Sequence, residues 1–370
     1  MKTRKAVYAA SLDPITNGHI NVIERMAPLY DTFVVLVAVD SRKTYAFTAD
    51  ERVDMARSAT AHLPNVMIDV CVGRYVVRHD ESVRAQVIIR GLRNSTDLES
   101  EQTLAEENRR ICPRIETIWV PCLPNLSHIS SSMVKSHVGV DPGWEDQVAR
   151  SVPALVVMKL NEKFILAKAR AHWSKVVAML GNPAGMDTAL NNLLSRYNEP
   201  HRAYHNLTHI VAMLDELELV NSTSPALALA IWFHDAIYKT KATDNEEQSA
   251  KLAQKEIRKV GLSATLGKQV SDLILLTKHT VTPTDQLAAL LVDLDLMILG
   301  KTQREFDAYE TGIRKEYDWV SQADFCAGRS KILQSFLNRP SIYSTKYFWD
   351  KYENTARKNL ERSIMKLQKI

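Results

Sequence analysis

The sequence predicts an α/β doubly wound parallel sheet followed by an all-α region, and three observations support this fold class. In the first half of the chain, short apolar runs alternate with segments of helical spacing, as in βαβ units. The predicted strand 33–39 is apolar on both faces, which is typical of parallel sheets that helices cover on both sides. From residue 173 to residue 370 the apolar residues recur with helical spacing almost throughout, which predicts an all-α second half.

Length and composition limit the class of protein. A chain of 370 residues is long for one hydrophobic core, which predicts two domains. Its 45% hydrophobic and 24% charged residues are typical of a soluble globular protein, and no apolar run approaches the length of a membrane span. The net charge of +4, without a long basic block, does not indicate a nucleic-acid partner.

The N-terminus and the cysteines indicate the compartment. Met1-Lys-Thr-Arg-Lys runs straight into an apolar strand and lacks the apolar length of a signal peptide. Cys71, Cys112, Cys122 and Cys326 are scattered and show neither zinc spacing nor a disulfide framework. We therefore expect a cytoplasmic protein, because thiols stay reduced there.

The predicted first domain covers residues 1–165 and the predicted second domain covers residues 172–370. Parallel sheets bind ligands at the carboxyl ends of their strands, so the loops that follow the strands are the informative ones. The predicted strands are 6–9, 33–39, 66–72, 87–90 and 115–120, and the predicted helices of the first domain are 20–26, 50–62, 99–110 and 145–170, with Pro153 near a break.

Three of these loops carry residues that suit phosphate binding. The loop 11–19 contains a glycine and ends in His19 at a helix start, where backbone N–H groups and the helix dipole attract phosphates. Arg90 and Arg93 directly follow a strand, and two arginines can converge on one polyanion. The serines 130–132 open another helix and predict a second phosphate cradle.

In this order and at these spacings the motifs resemble the phosphopantetheine adenylyltransferase family, within the nucleotidyltransferase superfamily, whose fold is Rossmann-like. The resemblance covers roughly residues 4–160 and implies transfer of AMP from ATP to 4′-phosphopantetheine, giving dephospho-coenzyme A and pyrophosphate. The matching motifs are Asp13-Pro-Ile-Thr-Asn-Gly-His19, Arg90-Gly-Leu-Arg93 with Asp97 and Glu101, and Ile129-Ser-Ser-Ser with Val134-Lys135.

The resemblance also implies roles for individual residues. Catalysis would rest on His19, Lys43 and Arg93, with Lys43 stabilising charge on the transferred phosphoryl group and Mg²⁺ accompanying ATP. Arg90 would hold the phosphate of the acceptor. The implied ATP-binding residues are Ser11, His19, Arg93, Glu101, Ser130, Ser131 and Ser132, and the implied acceptor-binding residues are Ser11, Lys43, Arg90, Leu104 and Asn108.

The acceptor stays open because the chain departs from the family pattern in three places. Ala9-Ala10 replace a Pro-Gly pair, and the stretch 73–79 is partly basic where the family is apolar. Leu126-Ser-His128 replaces the aromatic-Ser-Phe that usually precedes the serine triplet. A more anionic or shorter acceptor, such as nicotinamide mononucleotide, is therefore the alternative. The family commonly forms hexamers, so by resemblance we expect a homo-oligomer.

Four places in the second half carry side chains that ligate metals. Two histidines lie four residues apart and hence on one helix face, a His-Asp pair ends an apolar helix, and a Lys-His pair follows another. Two aspartates lie inside an apolar run, where a carboxylate needs a counter-charge or a metal. In chain order these residues are His205 and His209, His234 and Asp235, Lys278 and His279, and Asp293 and Asp295.

The ordered set resembles the HD superfamily of metal-dependent phosphohydrolases over about residues 180–365. The resemblance implies a divalent metal bound by His209, His234, Asp235 and one of the two aspartates, with Asp293 slightly favoured over Asp295. His205 and His279 are further candidates for a second metal or for phosphate contacts. Imidazole and carboxylate ligands together suit Mn²⁺, Fe²⁺, Co²⁺, Ni²⁺ or Zn²⁺ and do not choose among them.

The HD resemblance also implies chemistry. The metal would generate hydroxide for attack on phosphorus, with Glu246 or Glu247 orienting the water. Lys239, Lys278 and Arg329 are candidates for binding the substrate phosphate. The alternative is a half that only senses a nucleotide or holds subunits together.

Overall fold

The computed structural model describes residues 4–93, 95–141, 143–281, 283 and 285–369. The chain divides into two compact units, Met1–Phe164 and Ile165–Ile370. Within the described ranges, no helix is both long enough and apolar enough to cross a membrane.

The first unit contains the predicted parallel sheet, which confirms the fold class. Its five described strands are all paired in parallel and lie in the order β3-β2-β1-β4-β5. The strands are β1 (Lys5–Ala10), β2 (Thr32–Val39), β3 (Val66–Val72), β4 (Val87–Leu92) and β5 (Glu116–Pro121). The helices are α1 (Asn17–Met26), α2 (Ala49–Ala59), α3 (Val76–Ser82), α4 (Ser95–Ile111), α5 (Ser131–His137), α6 (Trp144–Val148) and α7 (Ala154–Met179), which contains the boundary between the units.

Both faces of the sheet are covered. In β1, Tyr8 belongs to one hydrophobic cluster together with Val35 of β2, whereas Val7 and Ala9 belong to another together with Leu36. Successive side chains of a strand point to opposite faces, so these two clusters are the two sides of the sheet. This explains why the central strands lack polar alternation.

Several helix boundaries differ from the prediction. Helix α1 begins at Asn17 rather than at residue 20, because Thr16 has an extended backbone and takes the N-cap position. The predicted helix 145–170 is two helices, with Pro153 immediately before α7, because proline is tolerated at a helix start but not in its interior. Helix α3 was not predicted, since seven residues are too few to show a helical period.

The second unit is helical in all its described elements, as predicted. Its core is one hydrophobic cluster in which the rings of Trp173 and Trp232 meet edge to face, with centroids 5.1 Å apart. Helix α10 is buried on every side, which fits its continuous apolar sequence. The helices are α8 (Met186–Tyr197), α9 (Leu207–Leu219), α10 (Pro225–Phe233), α11 (Asn245–Lys259), α12 (Ala264–Leu275), α13 (Gln286–Leu296), α14 (Gln303–Glu316), α15 (Gln322–Leu337) and α16 (Lys346–Leu367).

Candidate active sites

The predicted nucleotide-binding residues lie along one edge of the sheet. Because all strand pairs are parallel, the carboxyl ends of the strands share that edge. Ser11 follows β1, Lys43 lies in the exposed turn after β2, and Arg93 follows β4. Helix α5 is fixed to the loop after β1, because the Ser131 hydroxyl donates to the carbonyl oxygen of Pro14 at 2.8 Å.

His19 is held in a tautomer that presents a hydrogen-bond donor. The backbone N–H of Thr16 donates to Nδ1 of His19 at 3.0 Å, and the Thr16 hydroxyl lies 2.9 Å from the same nitrogen. Nδ1 is therefore the acceptor, and the proton of the neutral ring is on Nε2. Burial, together with the charges of Arg93 and Arg90, lowers the pKa of His19 to about 4. The ring is neutral at pH 7, and its Nε2–H suits a phosphate oxygen.

The carboxylate of Asp13 joins three segments of this site. It is buried and accepts hydrogen bonds from the backbone N–H groups of Ala46 and Phe47 at 3.0 and 2.9 Å. It also pairs with Nζ of Lys135 at 2.7 Å. The buried charge is thereby compensated, and the loop after β1 is fixed to the segment after β2 and to α5. Asp13 and Lys135 both belong to the sequence motifs. They lie 122 residues apart, so no local sequence pattern predicts their contact.

Arg52 is a second anchor that sequence reasoning missed. It is 1% exposed, and one of its terminal nitrogens donates to the carbonyl oxygens of Ser11 at 2.7 Å and Ala38 at 3.3 Å. Its guanidinium lies over the ring of Tyr45, 4.1 Å from the centroid. The first residue after β1 is therefore held from the side of α2. An arginine in an amphipathic helix gives no sequence sign of such burial.

Each of the two predicted phosphate-binding arginines has a carboxylate partner. Arg90 donates to Glu101 through Nε at 2.7 Å and through a terminal nitrogen at 2.5 Å, and its other terminal nitrogen donates to the carbonyl of Ala9. Arg93 donates to Asp97 at 2.9 and 3.0 Å. These bidentate pairs fix the orientation of both guanidinium groups. Glu101, which the resemblance assigns to the ribose or adenosine part of ATP, thus contacts the arginine assigned to the acceptor.

The other predicted residues differ in exposure. Ser132 is exposed, whereas the Ser130 hydroxyl caps α5 by accepting from the N–H of Met133 at 3.0 Å. On α4, Leu104 is 41% exposed and Asn108 is buried. The roles assigned to these residues by resemblance stay predictions.

The basic stretch at 73–79 is engaged within the protein. A terminal nitrogen of Arg74 lies 2.8 Å from Nδ1 of His79, and Nε2 of His79 lies 2.8 Å from the carboxylate of Asp69. His79 is buried. One terminal nitrogen of Arg74 is thereby engaged, and the residue itself is exposed.

One buried carboxylate of the first unit lacks compensation. Asp80 is 0% exposed, and neither of its carboxylate oxygens has a hydrogen-bond partner in the described part of the chain. It lies one turn beyond Val77, which packs with Ile88 of β4, so it faces the side of the sheet that carries Arg90. Burial raises the pKa of Asp80 to about 7, although the charge of Arg90 opposes the rise.

Asp80→Asn is expected to change how stability depends on pH. A carboxyl whose pKa is raised by folding stabilises the protein when protonated, and this contribution is complete below the unfolded value of 3.8 and lost as the pH rises through about 7. The amide stays neutral, so at about pH 8 the variant should exceed the wild type in free energy of unfolding by on the order of 2 kcal/mol. Near about pH 5 the folded carboxyl is protonated but the unfolded one is mostly ionised, so the difference should be smaller there than at about pH 8. Urea unfolding of the variant and the wild type at both pH values measures this difference in free energy of unfolding.

The matched control for this prediction is Asp54→Asn. Asp54 lies on α2 with its side chain 68% exposed, so its replacement should leave the pH dependence of stability unchanged. An Asp80→Asn difference of equal size at both pH values would contradict a buried titrating carboxyl.

In the second unit, four side chains from α9, the end of α10 and α13 converge. Nε2 of His209 lies 3.4 Å from Nε2 of His234, and one ligand atom from each of these residues and from Asp235 lies within 4.8 Å of the others. Oδ1 of Asp295 lies 3.2 Å from Nε2 of His209 and 3.7 Å from Nε2 of His234. The predicted ligands His209, His234 and Asp235 therefore lie close together, and Asp295 is the fourth residue of the cluster.

The structure corrects the predicted preference for Asp293. Its carboxylate is 0% exposed and accepts hydrogen bonds from the backbone N–H groups of Ser344 and Thr345 at 2.8 and 2.7 Å. Residues two apart on a helix diverge by about 200°, so only one of the two aspartates faces the histidines. That one is Asp295, which also lies 2.9 Å from Nε2 of His279.

The histidine tautomers fit a cation. Nδ1 of His234 lies 2.9 Å from the carbonyl oxygen of Ile231, which can only accept, so the neutral ring presents a bare Nε2. Nδ1 of His209 lies 3.1 Å from the Tyr204 hydroxyl. The His–carboxylate separations in the cluster run from 3.1 to 4.0 Å, which suits ligand atoms at about 2.1 Å from one ion. The donor set therefore fits a divalent metal.

Nearby carboxylates and burial act in opposite directions on the pKa values of the two histidines. Burial opposes the charged form of His234, but Asp235 and Asp295 outweigh it and raise the pKa of His234 well above its ordinary value. For His209 burial dominates, and its pKa is lowered. Burial likewise opposes the ionisation of Asp235, but His234 and His205 lower its pKa. A proton and a metal ion therefore compete for the same lone pairs.

Glu316 fixes His205 beside the cluster. Its carboxylate accepts backbone N–H groups, including that of His205 at 2.9 Å, and the Tyr238 hydroxyl at 2.9 Å, and lies 2.7 Å from Nδ1 of His205. Burial opposes ionisation of Glu316, but the hydrogen bond and charge of His205 lower its pKa to about 2. The ring of His205 lies 6.1 Å from that of His209. Glu316 lies 111 residues from His205 in the sequence, so no local pattern predicts their contact.

Arg202 positions the backbone of two motif residues and was also missed. Its side chain is buried, and one terminal nitrogen donates to the carbonyl oxygens of His205 at 2.9 Å and Asp235 at 2.7 Å. The segment before α9 is thereby joined to the end of α10. The charge is compensated by Glu199, whose carboxylate lies 3.0 Å from Nε.

The predicted water-orienting and phosphate-binding residues are not gathered around the cluster. Glu246 lies in the first turn of α11, and no described hydrogen bond connects it to the four ligands, so its role stays a prediction. Glu247 pairs with Lys278, and Arg329 is buried and pairs with Glu310 at 2.5 Å. These two cations are therefore occupied within the protein.

Asp295→Asn and Asp293→Asn should have opposite effects on metal and stability. Asp295→Asn should weaken binding of Mn²⁺ to the metal-stripped full-length protein by about 10–100-fold, because it removes a carboxylate next to both histidines. Asp293→Asn should leave the affinity for Mn²⁺ nearly unchanged. It should lower the free energy of unfolding by on the order of 1–3 kcal/mol, because the NH₂ group of the asparagine would face one of the two backbone N–H donors that the carboxylate now accepts. Titration with Mn²⁺ and urea unfolding measure the two quantities, and the reverse ranking of the variants would contradict the assignment.

The fold and the arrangement at the carboxyl edge of the first unit define a nucleotidyltransferase. Residues 7–137 match the family model described as cytidylyltransferase-like. The phosphopantetheine adenylyltransferase of Bdellovibrio bacteriovorus is 41% identical over 158 residues, which is 43% of this chain and 96% of that protein. That of Carboxydothermus hydrogenoformans is 43% identical over 161 residues, 44% of this chain and 96% of that protein. Through its N-terminal part, the chain belongs to the phosphopantetheine adenylyltransferase family.

Among solved structures, the nicotinic acid mononucleotide adenylyltransferase of Plasmodium falciparum complexed with NaAD matches 43% of this chain and 95% of that one. The identity is 14% and the TM-score is 0.33, so this likeness adds nothing to the family assignment.

Proposed function

We propose that the predicted domain 1–165 transfers AMP from ATP to 4′-phosphopantetheine, giving dephospho-coenzyme A and pyrophosphate. The observation that carries this proposal is the 41% and 43% identity to phosphopantetheine adenylyltransferases over 96% of their length. Arg90 and Arg93, the phosphate-binding arginines of the motif, follow β4 at the carboxyl edge of the sheet, and His19 opens the helix after β1.

The reaction needs no covalent bond to the protein. An oxygen of the acceptor phosphate attacks the α-phosphorus of MgATP, the bond from that phosphorus to the bridging oxygen breaks, and pyrophosphate leaves with the bonding electrons. His19 donates its Nε2–H to a phosphate oxygen of ATP. Arg93 releases Asp97 and binds the phosphates of ATP instead. Lys43 approaches from the exposed turn after β2. Orientation and charge stabilisation supply the rate enhancement.

Glu101 acts in this proposal by positioning Arg90. Its bidentate contact fixes the guanidinium plane, and the N–H groups of Arg90 that neither Glu101 nor the Ala9 carbonyl engages would be left for the acceptor phosphate.

His19→Ala should lower the rate of pyrophosphate release from MgATP and 4′-phosphopantetheine by about 10²–10³-fold, because one preorganised donor is lost. Bound Mn²⁺ should stay unchanged. The matched control is His62→Ala, since His62 is exposed and pairs with Glu24 away from the site. Transfer that persists at the wild-type rate in His19→Ala would refute the assignment of the first site.

We propose in addition that the predicted domain 172–370 is a metal-dependent phosphohydrolase. The observation that supports it is the convergence of His209, His234, Asp235 and Asp295 on one point inside a helical core. These four residues would hold the ion, which supplies Lewis acidity and lowers the pKa of water when bound. His205, oriented by Glu316, lies beside the cluster and suits transfer of a proton to or from the reacting phosphate ester.

Asp235→Asn should remove bound divalent metal and any hydrolysis of p-nitrophenyl phosphate, while adenylyl transfer stays at the wild-type rate. Metal analysis of the purified full-length protein and the two activity assays measure this. Unchanged metal content would refute the cluster as the metal site. Metal that is bound without any phosphatase activity would instead favour the sensing or oligomerisation role.

A further inference from the structure

A cleft in the second unit adjoins the proposed metal site through His279. The cleft has a volume of about 730 Å³ and lies between the loop after α12 and the segment that joins α15 to α16. His279 lines it, and Nε2 of His279 lies 2.9 Å from the carboxylate of Asp295 in the metal-binding cluster. A volume of this size suits a small-molecule ligand.

Arg339 in the wall of this cleft lacks a counter-charge. It is half-buried, donates to the carbonyl oxygen of His279 at 3.0 Å and stacks on the ring of Phe336 at 4.5 Å. No carboxylate in the described ranges pairs with it, and burial alone lowers its pKa. Four other arginines of this unit have acidic partners: Arg202 with Glu199, Arg329 with Glu310, Arg357 with Glu353 and Arg362 with Asp307. The oriented, half-buried guanidinium of Arg339 has no such counter-charge, which leaves its positive charge available to an anionic ligand.

The other walls of the cleft indicate a ligand that is in part flat and apolar. Trp349 is 53% exposed and Val281 is 63% exposed, and both line the cleft. None of its described lining residues is acidic, although Lys346, which also lines it, pairs with Asp350 at 2.6 Å. A large exposed indole beside an uncompensated arginine suits an aromatic ring that carries a phosphate.

His279 itself is held in an unusual conformation. Its φ angle is 56°, in the left-handed region that a histidine seldom adopts. Its Nδ1 is buried without a hydrogen-bond partner among the described residues. This conformation turns the backbone carbonyl to Arg339 while the ring reaches Asp295, so His279 connects the cleft to the metal-binding cluster.

We propose that this cleft is the substrate site of the second unit and takes a nucleoside monophosphate, with Arg339 contacting the phosphate and Trp349 stacking on the base. The proposal rests on the phosphohydrolase function and names its substrate class. Hydrolysis would add water to phosphorus, break the ester P–O bond, and release inorganic phosphate and the nucleoside, whose new hydroxyl takes the proton.

The test is AMP binding to the full-length chain by calorimetry in a His19→Ala, Arg93→Ala background, which disables the first site. Saturable binding is expected, and Arg339→Gln should weaken it at least about tenfold, because a charged phosphate contact is lost. Adenosine, which lacks the phosphate, should bind the parent chain about tenfold more weakly than AMP. Trp349→Ala should weaken AMP binding by about threefold or more.

Two further variants separate a ligand contact from a structural role. Arg339→Lys keeps the charge and should retain more affinity for AMP than Arg339→Gln. Lys331→Gln, exposed on α15 outside the cleft, should leave the affinity unchanged. A thermal melt equal to that of the parent shows that each variant is folded.

The outcomes also separate the cleft from the hydrolase. Unchanged AMP affinity in Arg339→Gln, or no saturable binding up to about 10 mM AMP, overturns the cleft proposal. Two independent results would reject the phosphohydrolase proposal. One is a purified protein that holds no divalent metal, and the other is a metal content that Asp235→Asn does not change. AMP binding that depends on Arg339 in a protein without metal would support the cleft and reject the hydrolase.

Discussion

A charged group inside either unit must be compensated by a partner, and this constraint determines where the loops of the two candidate sites lie. In the first unit the buried carboxylate of Asp13 is satisfied by the N–H groups of Ala46 and Phe47 and by Lys135. In the second unit Glu316 has the same function for the segment that carries His205. Each carboxylate costs several kcal/mol if it loses its donors, so the loops that supply them are held in one arrangement.

The few places where compensation is incomplete are then informative. The carboxylate oxygens of Asp80 and Nδ1 of His279 are buried without a hydrogen-bond partner in the described ranges, and the half-buried Arg339 has no carboxylate partner there. Native interiors contain few such groups. Arg339 and His279 lie at one cleft, which is why a ligand explains them together, whereas Asp80 is isolated and can relieve its own cost by staying protonated.

The parts of the fold that depend on local pattern were predictable, and the parts that depend on distant contacts were not. Apolar runs of strand length located the five strands, and the His and Asp spacing located three of the four clustered ligands. The choice between Asp293 and Asp295 depended on which helix face meets α9 and α10, and an Asp-x-Asp pair inside an apolar run carries no information on that. Arg52, Arg202 and Glu316 were missed for the same reason, because each acts on backbone far away in the sequence.

The two sites use the same side chain in opposite ways, and the backbone partner of the imidazole determines which. At His19 a backbone N–H donates to Nδ1, so the proton of the neutral ring is on Nε2 and the ring offers a donor to an anion. At His234 a backbone carbonyl accepts from Nδ1, so Nε2 is bare and offers a lone pair to a cation. The first arrangement occurs at a helix start, where N–H groups are free, and the second at a helix end, where the ring reaches back to a carbonyl. The position of each histidine relative to its helix therefore decides whether the ring offers an N–H donor, as at His19, or a lone pair, as at His234.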